Sequence, residues 1–166
     1  MSGLLAWLRR PPRLDWIQIE VTSRCGSRCG YCPRTSYRDA WIARDLPLSR
    51  VEALEPVLAR AGMAYFQGWG EPLLHPELIP MIRVAKRAGT RAGTTSNGRD
   101  LDAKTTDALI DAGLDVLGLS LAGTTDDEHR RFRPDVTRRD VLAGFERVRE
   151  ARERRGGSVP RLHAAL

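Results

Sequence analysis

The chain has 166 residues, of which 42% are hydrophobic, and it carries a net charge of +6. These values predict one ordinary soluble domain or a piece of a larger protein, and they exclude fibrous and disordered classes. The positive charge comes from arginines spread along the chain, which alternate with glutamates in the densest run, at 147–155, as on a solvated helix face, and this argues against a nucleic-acid partner.

The first fifteen residues are predicted to form an N-terminal lead-in to a core domain at residues 16–166. Their apolar run, at 4–8, is too short for a signal-peptide core and is followed rather than preceded by arginines. No apolar stretch approaches the roughly 20 residues that a membrane-spanning helix needs. We therefore expect neither export nor a membrane partner.

From residue 16 onward, short β-like runs alternate with helical ones, which predicts βα units and an α/β fold with a parallel sheet. Strands are predicted at 16–21, 63–67, 90–95 and 115–121, and a fifth begins at 159–166. Helices are predicted at 49–61, 76–88, 102–112 and 137–154. Ser49 and Glu52 predict a capping box for the first helix, and Pro56 predicts a kink in it.

The number of βα units indicates an incomplete barrel. Four or five units are too few for a closed eight-stranded barrel, which takes roughly 250 residues. The sequence therefore predicts a partial TIM-type (β/α) barrel with one unpaired edge. Part of an apolar inner face is expected to lie uncovered.

Polar and glycine-rich segments follow each of the first four predicted strands. They are the cysteine loop after the first strand, residues 68–72 after the second, 96–98 after the third, and Ser120 with Gly123 at the end of the fourth. In parallel α/β folds, ligands bind beyond the carboxyl ends of the strands. These segments are therefore expected to meet at one site.

The cysteine loop contains Cys25, Cys29 and Cys32, the only cysteines of the chain. An odd number this close together cannot all form disulfides, and the spacing C-x3-C-x2-C lets three thiolates converge on a soft metal centre. A four-iron cluster usually has four cysteine ligands, so three would leave one iron open. A non-catalytic zinc or electron-transfer module stays open as an alternative, with His75 or His129 as a distant fourth ligand.

The cysteine spacing, with Tyr31 directly before the last cysteine, resembles the signature of the radical SAM superfamily. The resemblance implies a [4Fe-4S] cluster on Cys25, Cys29 and Cys32, whose open iron chelates S-adenosylmethionine. It also implies a reductant protein of the flavodoxin or ferredoxin type. In the family, an electron from the cluster splits S-adenosylmethionine into methionine and a 5′-deoxyadenosyl radical, which abstracts hydrogen from a substrate. The family's core has six βα units, so this chain is expected to be C-terminally incomplete.

Further segments resemble cofactor-binding segments of the family. Residues 70–72, Gly-Glu-Pro, resemble its GGEP motif, whose backbone contacts the amino group of the methionine moiety. The segment around Asn97 resembles its Thr-x-Asn-Gly segment, near the ribose or carboxylate, although Asn-Gly is also a common turn. Arg133 aligns best with an arginine that neutralises the methionine carboxylate. The residues that the resemblance places on the cofactor are Tyr31, Gly70, Glu71, Ser96, Asn97, Ser120 and Arg133.

The resemblance covers residues 16–150 and is closest to the branch that modifies peptides or proteins and carries a C-terminal auxiliary-cluster domain of the SPASM type. It implies an enzyme with a peptide or protein substrate, although the chain has no further cysteines for auxiliary clusters. An inactive truncated remnant stays open as an alternative. A cluster that oxidation destroys predicts a reducing cytoplasm. His75 and His163 are expected to be structural.

Overall fold

Strands and helices alternate along the chain, as the sequence pattern predicts. The computed structural model describes residues 13–165, so the apolar run at 4–8 lies outside the described residues. Its strands are β1 (Ile17–Ile19), β2 (Met63–Phe66), β3 (Arg91–Ser96), β4 (Val116–Ser120) and β5 (Arg161–Ala165).

The helices occupy the connections between the strands. Within residues 13–165 the α-helices are α1 (Pro33–Ser36), α2 (Leu48–Ala53), α3 (Glu55–Leu58), α4 (Leu78–Arg87), α5 (Ala103–Asp111), α6 (Asp126–Phe132) and α7 (Arg138–Arg154). Short 3₁₀ turns lie at Arg38–Ala40 and Pro72–Leu74. Every α-helix among these residues is too short or too polar to cross a lipid bilayer.

The sheet is parallel throughout, and its strand order follows the chain, β1-β2-β3-β4-β5. Because parallel crossovers are right-handed, strands added in one direction place all their helices on one face. The core fills the space between that face and the helices, where Phe66 and Leu117 meet Met81 and Val141. Among residues 13–165 the sheet does not close, so the prediction of a partial (β/α) barrel is confirmed.

The opposite, inner face of the sheet differs from the prediction. Residues alternate between faces along a strand, so the positions next to the buried Ile19, Phe66, Thr94 and Leu117 face away from the helices. In the row that these positions form, Thr95 pairs with Gly118 and Gly118 with His163, and Glu20 and Gln67 follow one residue after the last paired positions of β1 and β2. One row of the inner face is therefore largely polar, which the sequence analysis did not predict.

The predicted first helix is two helices, α2 and α3, which join at Leu54. Pro56 lies at the start of α3, where its missing N–H removes no helical hydrogen bond, so it begins a new helix instead of kinking an old one. The predicted capping box is also wrong. Pro47 stands at the N-cap of α2 and makes no side-chain cap, and the Leu48 N–H donates instead to a Glu77 carboxylate oxygen at 3.3 Å.

Caps elsewhere explain the positions of the later helices. The side chain of Asp102 accepts a hydrogen bond from the Thr105 N–H and begins α5 where predicted. Helix α6 was not predicted, although Thr125 and Glu128 form a capping box that signals it. This helix matters for the site, since its C-terminal end lies against the cysteine loop.

Candidate functional site

A cleft of about 490 Å³ lies at the carboxyl ends of the strands. Every site residue predicted from the sequence lines it. They are Cys25, Cys29, Tyr31, Cys32, Gly70, Glu71, Ser96, Asn97, Ser120 and Arg133. Segments up to 108 positions apart in sequence therefore meet around one space, as the parallel topology requires.

The structure adds lining residues that the sequence analysis missed. They are Gln67, Thr95, Phe132 and Ala165, while the segments already expected at the site also contribute Ser27, Gly68, Trp69, Leu121, Ala122 and Gly123. Strand alternation signals Gln67 and Thr95, which precede turn segments on the inner face. No local signal identifies Phe132, because it reaches the cleft only through the packing of α6.

The cysteine loop is held by contacts with the end of α6 and with the segment after it. The Gly30 N–H donates to the carbonyl of Phe132 at 3.0 Å, and the Arg28 N–H donates to an Asp135 carboxylate oxygen at 2.7 Å. Within the loop, the Cys32 N–H donates to the Cys29 carbonyl at 3.1 Å. The three thiols are half-buried and free. These contacts hold the backbone of the loop that carries the three sulfur atoms.

The charges around Cys29 suit a cationic ligand. Burial raises the pKa of the Cys29 thiol, Arg133 opposes this rise, and negative charge on Cys25 and Cys32 raises the pKa further. Three neighbouring thiolates are thus unfavourable by themselves, whereas a bound metal deprotonates its thiols outright. The donor set therefore fits an iron–sulfur cluster.

The alternative of a zinc site with a histidine ligand finds little support. Both ring nitrogens of His75 are engaged, Nε2 with the Leu46 carbonyl and Nδ1 with the Glu77 N–H. The Nδ1 atom of the buried His129 accepts from the Ala122 N–H. Within residues 13–165, no three His, Cys, Asp or Glu side chains are placed to share a single ion. In a cluster the thiolates bind different irons and need not share one.

Arg133 is placed over the cleft by Tyr31 and Ser120. Its Nε donates to the Tyr31 hydroxyl at 2.6 Å, and its Nη1 donates to the Ser120 carbonyl at 3.0 Å. Its neighbour Arg130 instead pairs with Asp127 on the exposed side of α6. Among these arginines, Arg133 therefore brings positive charge to the cleft.

The loop after β2 lies directly on the backbone of the loop after β1. The Glu71 N–H donates to the Arg24 carbonyl at 2.8 Å, and the Trp69 N–H donates to a Glu20 carboxylate oxygen at 2.6 Å. A Cβ on Gly70 would lie 2.6 Å from the Thr22 carbonyl carbon and closer still to its oxygen. Glycine is therefore required at position 70 for the two loops to pack.

Glu71 is a buried carboxylate, with 3% of its surface exposed. Burial raises its pKa from 4.5 to about 7, while hydrogen bonds from the Asn97 N–H, the Ser96 hydroxyl and the Leu73 N–H limit the rise. Between pH 4.5 and about pH 7, the folded protein thus keeps a proton on Glu71 that the unfolded chain releases. This contribution to stability is complete below pH 4.5 and is lost as the pH rises through about 7.

We expect this loss to amount to about 3 kcal/mol between the two limits, and the variant Glu71→Gln should lack it. Urea unfolding from about pH 5 to about pH 8 measures the difference between the wild type and the variant. The exposed Glu52 supplies a control, since Glu52→Gln should keep the wild-type pH dependence. Parallel curves for the wild type and Glu71→Gln would contradict the assignment.

Comparison with protein families matches residues 19–159 to the radical SAM superfamily. The match spans most of the chain and includes the cysteine loop and the strand ends around the cleft. The chain belongs to the radical SAM superfamily. Members of this superfamily are enzymes that use a [4Fe-4S] cluster and S-adenosylmethionine.

Two relatives show the range of the family near this chain. A GTP 3′,8-cyclase of Chlorobaculum tepidum is 37% identical over 152 residues, which cover 85% of this chain and 41% of the relative. A PqqA peptide cyclase of Ruegeria pomeroyi is 33% identical over 109 residues, which cover 65% of this chain and 29% of the relative. The chain spans less than half the length of these curated relatives.

Solved structures share the fold at low identity. Streptococcus suis SuiB bound to the precursor peptide SuiA superposes with a TM-score of 0.70 at 14% identity, over 90% of this chain and 33% of SuiB. Methylornithine synthase superposes with a TM-score of 0.67 at 13% identity, over 84% of this chain and 42% of that enzyme. At these identities the likeness shows the fold alone.

Proposed function

We propose that this chain binds a [4Fe-4S] cluster through Cys25, Cys29 and Cys32 and binds S-adenosylmethionine in the adjoining cleft. When bound, these cofactors supply a 5′-deoxyadenosyl radical that abstracts hydrogen from a substrate. The observation that carries the proposal is the meeting of three free thiols with the ends of four successive strands around one cleft.

The chain's own groups complement the methionine part of the cofactor. Arg133 offers a guanidinium, which suits a carboxylate because it forms charge-assisted hydrogen bonds. Gly70 lines the cleft with main-chain atoms, and main-chain carbonyl oxygens are suitable acceptors for an amino group. Tyr31 and Phe132 stand at the rim with 54% and 42% of their surfaces exposed, and their ring centroids are 6.4 Å apart. They can exclude water from one side of the cleft.

The substrate class and the electron donor are part of this proposal. A reductant protein of the flavodoxin or ferredoxin type would supply the electron. A peptide or protein substrate is favoured because one relative is named for a peptide. GTP is the second candidate, because another relative is named a GTP cyclase. Faster 5′-deoxyadenosine release on adding GTP alone would assign the nucleotide.

Electron paramagnetic resonance tests the cofactor site directly. After anaerobic reconstitution and reduction, S-adenosylmethionine should change the spectrum of the cluster, since the open iron gains ligands. Arg133→Ala should raise the half-saturating cofactor concentration by about 10- to 100-fold, because a charge-assisted hydrogen bond is lost. The iron content should stay unchanged.

Arg130→Ala is the matched control, since it removes an equal charge from the exposed side of α6. It should bind the cofactor as the wild type does. A spectrum that stays unchanged at saturating S-adenosylmethionine, with the cluster intact, would reject the assigned site. That outcome would favour an electron carrier or an inactive remnant.

A further inference from the structure

Three buried polar residues connect the loops that follow β1, β2 and β3. Ser27, Glu71 and Asn97 expose only 3%, 3% and 7% of their surfaces. The Glu71 carboxylate accepts from the Asn97 N–H at 2.8 Å, and the Asn97 Nδ2 donates to the Ser27 Oγ at 3.4 Å. We call this series of contacts, Glu71 to Asn97 to Ser27, the polar strut.

The remaining polar atoms of the strut are used within the same loops. The second carboxylate oxygen of Glu71 accepts from the Leu73 N–H at 3.2 Å, and the Asn97 Oδ1 accepts from the Arg99 N–H at 2.9 Å. An apolar side chain at position 71 would leave buried N–H donors unsatisfied, which is costly. The polar atoms of these side chains therefore hold the three loops together by hydrogen bonds.

The strut ends at a sulfur atom. Ser27 lies between Cys25 and Cys29, and its N–H donates to the Cys25 Sγ at 3.4 Å. Hydrogen bonds to cysteine sulfurs tune iron–sulfur clusters, and partners behind the ligands orient them. Asn97 therefore connects to Cys25 through Ser27, whose hydroxyl accepts from the Asn97 Nδ2 and whose backbone N–H donates to the sulfur, and Glu71 connects to the same path through the Asn97 N–H.

We infer that Glu71 and Asn97 act as positioning residues for the cysteine loop, which they hold through Ser27. The loop after β2, which lines the cofactor cleft, then determines the position of the Cys25 sulfur. This inference rests on the proposed role of the cysteines as cluster ligands. The contacts themselves exist without a cluster, so two independent measurements test it.

The first measurement uses the protein before reconstitution. Glu71→Gln, Asn97→Ala and Ser27→Ala should each increase the rate of Cys25 alkylation by iodoacetamide by about tenfold under native conditions. Glu71→Gln combined with Ser27→Ala should add little, because both break the same series of contacts. Peptide mass spectrometry assigns the modified cysteine.

The second measurement uses the reconstituted protein. The same variants should release iron to a chelator about 10-fold faster than the wild type, as expected when a partner behind a ligand is lost. Thr94→Val is the matched control, since it deletes a buried hydroxyl that bonds the Phe66 carbonyl at 2.6 Å, away from the loops. It should lower stability but leave alkylation and iron release unchanged.

The outcomes separate the two proposals. Equal Cys25 alkylation in the wild type, the strut variants and Thr94→Val would overturn the strut, whatever metal binds. Faster alkylation in the strut variants alone, in a protein that takes up no iron, would uphold the strut and reject the cluster. Additive effects in the double variant would show that Glu71 and Ser27 act separately, and would also overturn the inference.

Discussion

Replacing Cys29 with serine is expected to leave the reconstituted protein with almost no iron. Two thiolates cannot hold a four-iron cluster, and the hydroxyl of serine is a far weaker ligand for iron than a thiolate. The iron content after anaerobic reconstitution should fall at least about tenfold relative to the wild type. Cys25→Ser and Cys32→Ser should behave alike, because each thiolate binds a different iron.

The matched control is Ser36→Ala, an exposed position in α1, just beyond the cysteine loop. It should take up as much iron and sulfide as the wild type. Iron, sulfide and zinc are measured together. Stoichiometric zinc without iron in the wild type would overturn the cluster assignment, and so would full iron occupancy in Cys29→Ser.

The second large effect is expected at Gly70. In Gly70→Ala the new Cβ would collide with the Thr22 carbonyl and lie 2.8 Å from the Arg24 carbonyl oxygen. All of these atoms belong to the backbone, so the loops after β1 and β2 must separate. We expect a loss of at least about 4 kcal/mol in the free energy of unfolding, or failure to fold.

Gly157→Ala is the control for this substitution, since its nearest neighbour would be the Arg152 carbonyl oxygen at 3.9 Å. It should change the free energy of unfolding by less than about 1 kcal/mol. Urea unfolding and soluble yield compare the two variants. Equal stability of Gly70→Ala and Gly157→Ala would refute the packing of the two loops described above.

The helix predictions were correct where a glycine directly after the last turn ends the helix. Gly89 and Gly113 follow α4 and α5 with φ of 78° and 82°, in the left-handed region that glycine adopts without a Cβ penalty. The prediction of one helix at 49–61 was wrong. The spacing of apolar residues continues across Pro56, but the helix ends at Leu54 and a second helix begins there. Periodicity records which residues face the core, and two short helices can keep the same face.

The sequence predicted which segments line the site, but not which contacts their residues make. Parallel topology alone requires that the segments after successive strands meet, so the cysteines, Glu71, Asn97 and Ser120 were expected together. The same reasoning was silent on Phe132, whose carbonyl receives the Gly30 N–H. That contact depends on α6, a helix that begins at the capping box of Thr125 and Glu128.

The amino-acid sequence by itself determined the α/β class, the cysteine loop and the position of the site at the carboxyl ends of the strands. These follow from strand and helix periodicity and from motifs a few residues long. Only the tertiary structure decided that Glu71 supports Asn97, that Asn97 reaches Ser27, and that Arg133 lies on Tyr31. Such pairs join residues 26 to 102 positions apart, and no local pattern specifies which buried donor will satisfy which acceptor.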